Sequence, residues 1–191
     1  MVQGKIEFIQ IEDYLDAYIQ AQDIAGCSML VMRGGKEIYC TFKGVQDLES
    51  GRPIARNTIY RIYSMTKPVA SVALMMLWER GAFSLDDPLE RYLPMFSEMK
   101  VYNPDGNHSS TEGSITIRHL LTHTSGLILP AFSEHPLRDV YLSRGVNGSR
   151  SEGDLANVIC ELAKLPLLFE PGTRWEYSMA TDVAGRLVEV I

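Results

Sequence analysis

Ser64-Met-Thr-Lys67 places a hydroxyl and an amine three residues apart, and residues at that spacing share one face of a helix. The chemistry open to such a pair is nucleophilic, because a serine hydroxyl attacks poorly until a neighbour takes its proton. If Ser64 opens the helix, the positive end of the macrodipole and free backbone N–H groups also favour developing negative charge. The pattern is common: 15 serines and 6 lysines in 191 residues give about half an occurrence by chance at ordinary usage. A second match, Ser97-Glu-Met-Lys100, lies in a polar segment that opens no apolar helix. Ser64 follows the extended run Thr58-Ile-Tyr-Arg-Ile-Tyr63 and precedes the strongest helical signal in the chain, which is the context a nucleophile motif needs. An exposed N-cap serine with a first-turn lysine is the other reading that this spacing allows. His119 and His123, four apart, could share a helix face as a zinc pair does. Leu120 follows the first of them, so the general-base Glu of H-E-x-x-H is absent, and no third ligand is evident. The chain has no G-x-S-x-G elbow, which argues against an α/β-hydrolase nucleophile.

The elements that must position these residues follow from periodicity and punctuation. Phe8, Ile11, Leu15, Tyr18 and Ile19 recur at helical spacing and predict a helix over Glu7 to Gln22. Cys27 to Arg33 and Lys36 to Lys43, joined by Gly34-Gly35, predict a β-hairpin. Thr66 to Arg80 predicts a helix with Val69, Val72, Ala73, Met76 and Leu77 on its buried face and Gly81 as the stop. Pro68 is tolerated in its first turn. Ser84-Leu-Asp-Asp87 reads as a capped start of a short helix that Pro94 ends, and Met99 to Gly113 as a polar loop. Thr116 is placed to cap a helix through Leu121, Glu152 to Lys164 is amphipathic, and a last helix runs from Ala180 to Ile191.

Composition sets the class. A net charge of −6, 22% charged residues and 46% apolar residues describe a globular domain and give no basic footprint for nucleic acid. The longest apolar stretch, Val69 to Trp78, is too short for the ~20 residues of a bilayer crossing, so no membrane partner is expected. Glu7, Glu12 and Asp13 occupy the place of a secretory apolar region, which predicts a cytoplasmic protein unless a signal has been removed. Cys27, Cys40 and Cys160 are odd in number, without a C-x-x-C pair, and read as free buried thiols.

Three segments, taken together, resemble the serine β-lactamase-related proteins, which include class C β-lactamases, D-Ala-D-Ala carboxypeptidases and family VIII carboxylesterases. They are Tyr63-Ser-Met-Thr-Lys-Pro68, Ile115-Thr-Ile-Arg-His-Leu-Leu-Thr-His-Thr-Ser-Gly-Leu127, and Glu170-Pro-Gly-Thr-Arg-Trp-Glu-Tyr-Ser178 with Asp182-Val-Ala-Gly185. The resemblance implies that Ser64 is the acylated nucleophile, Lys67 its activating partner and Tyr177 a second base that shuttles protons. It leaves open whether Lys67 or Tyr177 is the base, gives His119, His123 and Gly126 supporting places around the site, and implies no metal or organic cofactor.

Two departures shape the expectation. Class C β-lactamases keep Tyr-x-Asn where this chain has Tyr177-Ser-Met179, and a thioether offers neither the donor nor the acceptor of an amide. The family's third element, a Lys-Thr-Gly or His-x-Gly strand, is missing; His123-Thr-Ser-Gly126 precedes the tyrosine and is no substitute. The expected fold is therefore α/β plus an all-helical region, a β-lactamase/transpeptidase-like fold represented by its N-terminal part with an incomplete antiparallel sheet. Residues 1–60 would hold the first helix and hairpin, and 61–191 a mainly helical region carrying Ser64, Lys67 and Tyr177. The third element would come from the same or another chain, and residues 1–191 alone would be poorly stable and nearly inactive. The expected function is a serine carboxylesterase on a small-molecule ester. A β-lactamase or D-Ala-D-Ala carboxypeptidase acting on an amide, and a non-catalytic ligand-binding module on the same scaffold, are the alternatives.

Overall fold

The computed structural model of the chain describes residues 8–103, 105–151 and 153–191. They fall into two units, that of Met1–Arg61 and that of Ile62–Ile191.

In the first unit, helix α1 (Ile9–Gln20) precedes an antiparallel hairpin of β1 (Gly26–Arg33) and β2 (Lys36–Gly44). Gly34 and Gly35, with φ of +57° and +74°, make the turn that a side chain would strain. The helix is tied to β2 by side chains: the Tyr39 hydroxyl donates to Glu12 at 3.0 Å, and Lys43 pairs with Asp16 at 2.6 Å. Helix and hairpin lie where periodicity predicts them; Glu7 is outside the described residues. Cys27 and Cys40 here, and Cys160 in the second unit, are free but half-buried, which corrects the expectation of buried thiols. Residues 58–62 form no strand, so the extended lead-in to Ser64 is irregular chain.

The second unit is organised on one helix, α6 (Ala180–Val190), which packs against α2 (Thr66–Glu79), α3 (Ile117–Leu121) and α5 (Leu155–Leu162). Ala180, Val183, Ala184 and Leu187 recur at i, i+3, i+4 and i+7 and are fully buried. Two of the four are alanines, which lets neighbouring backbones come close.

Helix α2 forms where expected, but its buried face is rotated: of the five residues expected inside, Ala73 and Leu77 are half-buried and the other three are exposed. Leu74 is its fully buried residue, with Leu77 packed beside it, whereas Val69, Val72 and Met76 are 62%, 60% and 49% exposed. The helix is apolar all round, so spacing alone has no unique phase to report. Ser84 caps no helix; its N–H donates to the Asp87 carboxylate at 2.9 Å in a turn, and short 3-10 turns follow at Leu89–Arg91 and Pro94–Phe96. The polar stretch 99–113 contains a hairpin of β3 (Lys100–Tyr102) and β4 (His108–Ser110) rather than a loop. It is anchored because β3 also bonds Leu167 on its other side, through Leu167 N–H to the Lys100 carbonyl at 2.7 Å. Helix α4 (Leu137–Ser143) was not expected; Leu137 and Tyr141 bury it, and the Tyr141 hydroxyl donates to the Pro166 carbonyl at 3.0 Å.

Candidate active site

Ser64 is the middle residue of a 3-10 turn, Tyr63–Met65, that runs directly into α2. Tyr63 has φ of +43°, a left-handed conformation that costs a bulky residue on the order of 1–3 kcal/mol and is held at functional turns. The serine is exposed, and Lys67, one turn on, is half-buried.

Tyr177 lies on the segment before α6, and the loop after α3 fixes that segment. Four backbone bonds join them: Leu168 N–H to the Gly126 carbonyl at 2.7 Å, Gly172 to Thr124 at 2.8 Å, Glu176 to His123 at 2.9 Å, and Met179 to Ile128 at 3.3 Å. Gly126 is required twice over. Its φ is +83°, and a Cβ there would stand 2.3 Å from the Phe169 carbonyl oxygen. His119 belongs to the start of α3: Thr116 Oγ1 accepts from the His119 N–H while His119 Nδ1 accepts from the Thr116 N–H, each at 3.2 Å, a reciprocal cap. The cap at Thr116 is where the sequence places it; the histidine half is not visible without the fold. His123 lies beyond the helix with φ of +55°, so the two histidines do not share a helix face, and His123 Nδ1 meets Ser178 Oγ at 3.2 Å.

These supports bring together side chains 113 residues apart. The Tyr177 hydroxyl donates to Ser64 Oγ at 2.7 Å, and Lys67 Nζ lies 4.9 Å from the centroid of the Tyr177 ring. Burial disfavours the phenolate at Tyr177, but hydrogen bonding with Ser64 and with Lys67, together with the Lys67 charge, outweighs it and holds the phenol below its ordinary range. Burial, and then the Lys67 charge, lower His123. Burial raises the Asp182 carboxyl on α6, with Lys67 opposing it.

Phe132, absent from the sequence reading, and Trp175, which belongs to the 170–178 motif without an assigned role, complete the surroundings. Phe132 is 72% exposed and sets its ring edge-on to Tyr177 at 5.8 Å, and Trp175, 65% exposed, does the same to His123 at 6.2 Å. Phe132 belongs to no spacing pattern. The Ser97 and Lys100 pair is split between a 3-10 turn's end and β3, apart from the Ser64 helix.

A serine hydroxyl within hydrogen-bond reach of a tyrosine, with a lysine one turn along the helix, is an arrangement that suits acyl transfer. The family model described as Beta-lactamase matches residues 11–191, and the chain belongs to that family. The chain is 35% identical over 182 residues to esterase EstB of Burkholderia gladioli, covering 94% of this chain and 44% of that protein. The solved structure of EstCE1, a hydrolase with promiscuous acyltransferase activity, superposes with a TM-score of 0.78 at 33% identity, over 95% of this chain and 46% of that one. Simvastatin synthase (LovD) from Aspergillus terreus gives 0.73 at 29% identity over 95% and 46%. The family is one of serine hydrolases and acyl transferases, the fold is β-lactamase-like, and the chain spans about half the length of these relatives.

Proposed function

We propose that this chain carries the nucleophilic half of a carboxylesterase site that works through an acyl-Ser64 intermediate. The observation that carries the reading is the 2.7 Å contact between Tyr177 Oη and Ser64 Oγ, a distance across which a proton passes directly. The lowered phenol favours Tyr177 as the base, with Lys67 supplying the charge that sustains the phenolate. Ser64 Oγ attacks the ester carbonyl as its proton goes to Tyr177 Oη. The tetrahedral adduct then expels the alcohol, which leaves with that proton, and acyl-Ser64 remains. Water repeats the exchange in reverse: its proton goes to Tyr177, its oxygen bonds the acyl carbon, and Ser64 regains its proton as the acid departs. The Ser64 N–H, in the turn that leads into α2, would serve as one oxyanion donor.

The substrate preference rests on residue 179. Met179 is fully buried, so the position where Tyr-x-Asn enzymes offer an amide presents no polar group. Phe132 and Trp175 stand exposed beside the tyrosine and suit an apolar acyl or alcohol group. Similarity to an esterase supports the same choice. Two measurements test it on the intact protein. A fluorophosphonate probe is expected to leave its adduct on Ser64 by mass spectrometry, and p-nitrophenyl butyrate to be turned over faster than nitrocefin. An unlabelled Ser64 would overturn the catalytic reading, and faster nitrocefin cleavage would overturn the ester preference in favour of β-lactam substrates.

A further inference from the structure

We propose that His123 is the positioning residue of the catalytic tyrosine, and that it holds Tyr177 only as a neutral imidazole accepting the Ser178 hydroxyl proton at Nδ1. The inference rests on the reading of Tyr177 as the proton carrier. One residue grips four successive ones. The His123 carbonyl accepts from Glu176 N–H at 2.9 Å, its Nδ1 meets Ser178 Oγ at 3.2 Å, and its ring lies 5.2 Å from that of Tyr177 and 6.2 Å from that of Trp175. Tyr177 is thereby held by its chain neighbours on both sides and by its own ring. The left-handed backbone at residue 123, φ +55°, brings carbonyl and imidazole to the same segment.

Hydrogen-bond accounting at Ser178 fixes the tautomer. Ser178 is fully buried, and its Oγ already accepts from the Ala180 N–H at 3.3 Å as α6 begins. Its own proton then needs an acceptor, and Nδ1 of His123 is the one within reach. An imidazole protonated at Nδ1 would donate to the second lone pair of Oγ instead, and the buried Ser178 proton would lose this acceptor. Nε2 therefore carries the proton of the neutral ring. Of the charged and titratable groups, Lys67 from α2 acts on it through its charge, and Tyr177 and Glu176 on the clasped segment are in contact with residue 123. The Lys67 charge and burial both favour the neutral ring, while Asp182 bears on Lys67 and Tyr177. Below the pH at which the imidazole finally protonates, the Ser178 bond reverses, the buried Ser178 proton loses its acceptor, and the clasp that holds Tyr177 against Ser64 loosens. Activity is present above that pH, which lies under the ordinary histidine range, and is lost below it.

The experiment has one arm that needs no turnover. In ¹⁵N-histidine NMR of the intact protein at neutral pH, His123 is expected to show an unprotonated Nδ1 and a protonated Nε2, and in Ser178→Ala the Nδ1 signal is expected to shift to that of a free ring nitrogen. An Nδ1–H tautomer would overturn the proposal, whatever the protein hydrolyses. The second arm compares pH profiles of kcat and KM. His123→Asn keeps an acceptor near Nδ1, tolerates a left-handed backbone and does not ionise. It is expected to stay within about 10-fold of the parent and to lose the acidic limb, while His123→Ala loses about 100-fold in kcat with KM little changed, the cost of a misplaced catalytic group. An Asn variant that keeps the parent's acidic limb, or that falls with Ala, would overturn the proposal. Thermal unfolding of each variant separates a lost fold from a misplaced tyrosine. Failure of the parent to acylate at Ser64 would instead sink the esterase reading, leaving the NMR result to judge His123.

Discussion

Tyr177 and Ser64 face each other across 2.7 Å, but the two sides of that contact are built differently. On the tyrosine side, loop 123–128 and segment 168–179 are laced by four backbone hydrogen bonds, with a glycine that accepts no side chain and a histidine wedged against the ring. On the serine side, a single 3-10 turn hands over to a helix with one face packed on α6 and the other, Met65, Val69, Val72 and Met76, exposed. The framework of Tyr177 is thus supplied by the loop after α3 and the segment before α6. The framework of Ser64 is half tertiary and half open. Substitutions on the two sides should differ in kind: on one they disturb geometry through packing, on the other they remove chemistry and leave the fold alone.

The largest effects are expected where chemistry is removed. Ser64→Ala should lower turnover of p-nitrophenyl butyrate by about 10⁴-fold or more, because groups acting as a unit fail together. Tyr177→Phe should cost about 10²–10⁴-fold, the worth of a positioned base, while preserving the ring contacts to Phe132 and His123. Ser64 is exposed, so thermal unfolding of its variant should match the parent within about 0.5 kcal/mol. A Tyr177→Phe enzyme that keeps full activity would transfer the role of base to Lys67.

Next comes the clasp. Gly126→Ala must find room for a Cβ 2.3 Å from the Phe169 carbonyl at a φ of +83°, and should destabilise by about 3 kcal/mol in urea unfolding. Its activity should fall further than its folded fraction, since the strand of bonds that opens is the one carrying Tyr177. Equal losses in the two would mean that the clasp contributes stability without setting the site.

How much of this was legible in the sequence depends on how local the feature is. Ser64 and Lys67 are one helical turn apart, so spacing alone brings them together; the glycine turn at 34–35 and the Thr116 cap are equally local. Tyr177 carries no such signal, being 113 residues from its partner, and became visible only through the resemblance of a whole set of motifs. His123 stands at zinc-like spacing from His119 without a third ligand, and only the resemblance gives it a supporting place, because its partner Ser178 is 55 residues away. Phe132 sits on a short turn with no periodicity to mark it. The hairpin at 100–110 was read as a loop because its strands are three residues long and polar, and its pairing with Leu167 is a tertiary fact.

The smallest effect is also the sharpest test of the comparison. Helix α2 reads TKPVASVALMMLWE, with apolar residues on every side, and periodicity predicts Val69, Val72, Ala73, Met76 and Leu77 inside. The fold buries Leu74 instead. Leu74→Ala should therefore cost about 2–5 kcal/mol, the removed methyl groups plus the cavity left against α6. Val72→Ser, two residues away and 60% exposed, should stay within about 0.5 kcal/mol in the 191-residue chain. The pair is matched in backbone and helix, so the difference isolates burial from helix propensity, and urea unfolding of both variants beside the parent measures it. A Val72→Ser loss above about 1.5 kcal/mol, the worth of burying a valine, would mean that the outward face is covered in solution. The serine side of the site would then be as fully framed as the tyrosine side.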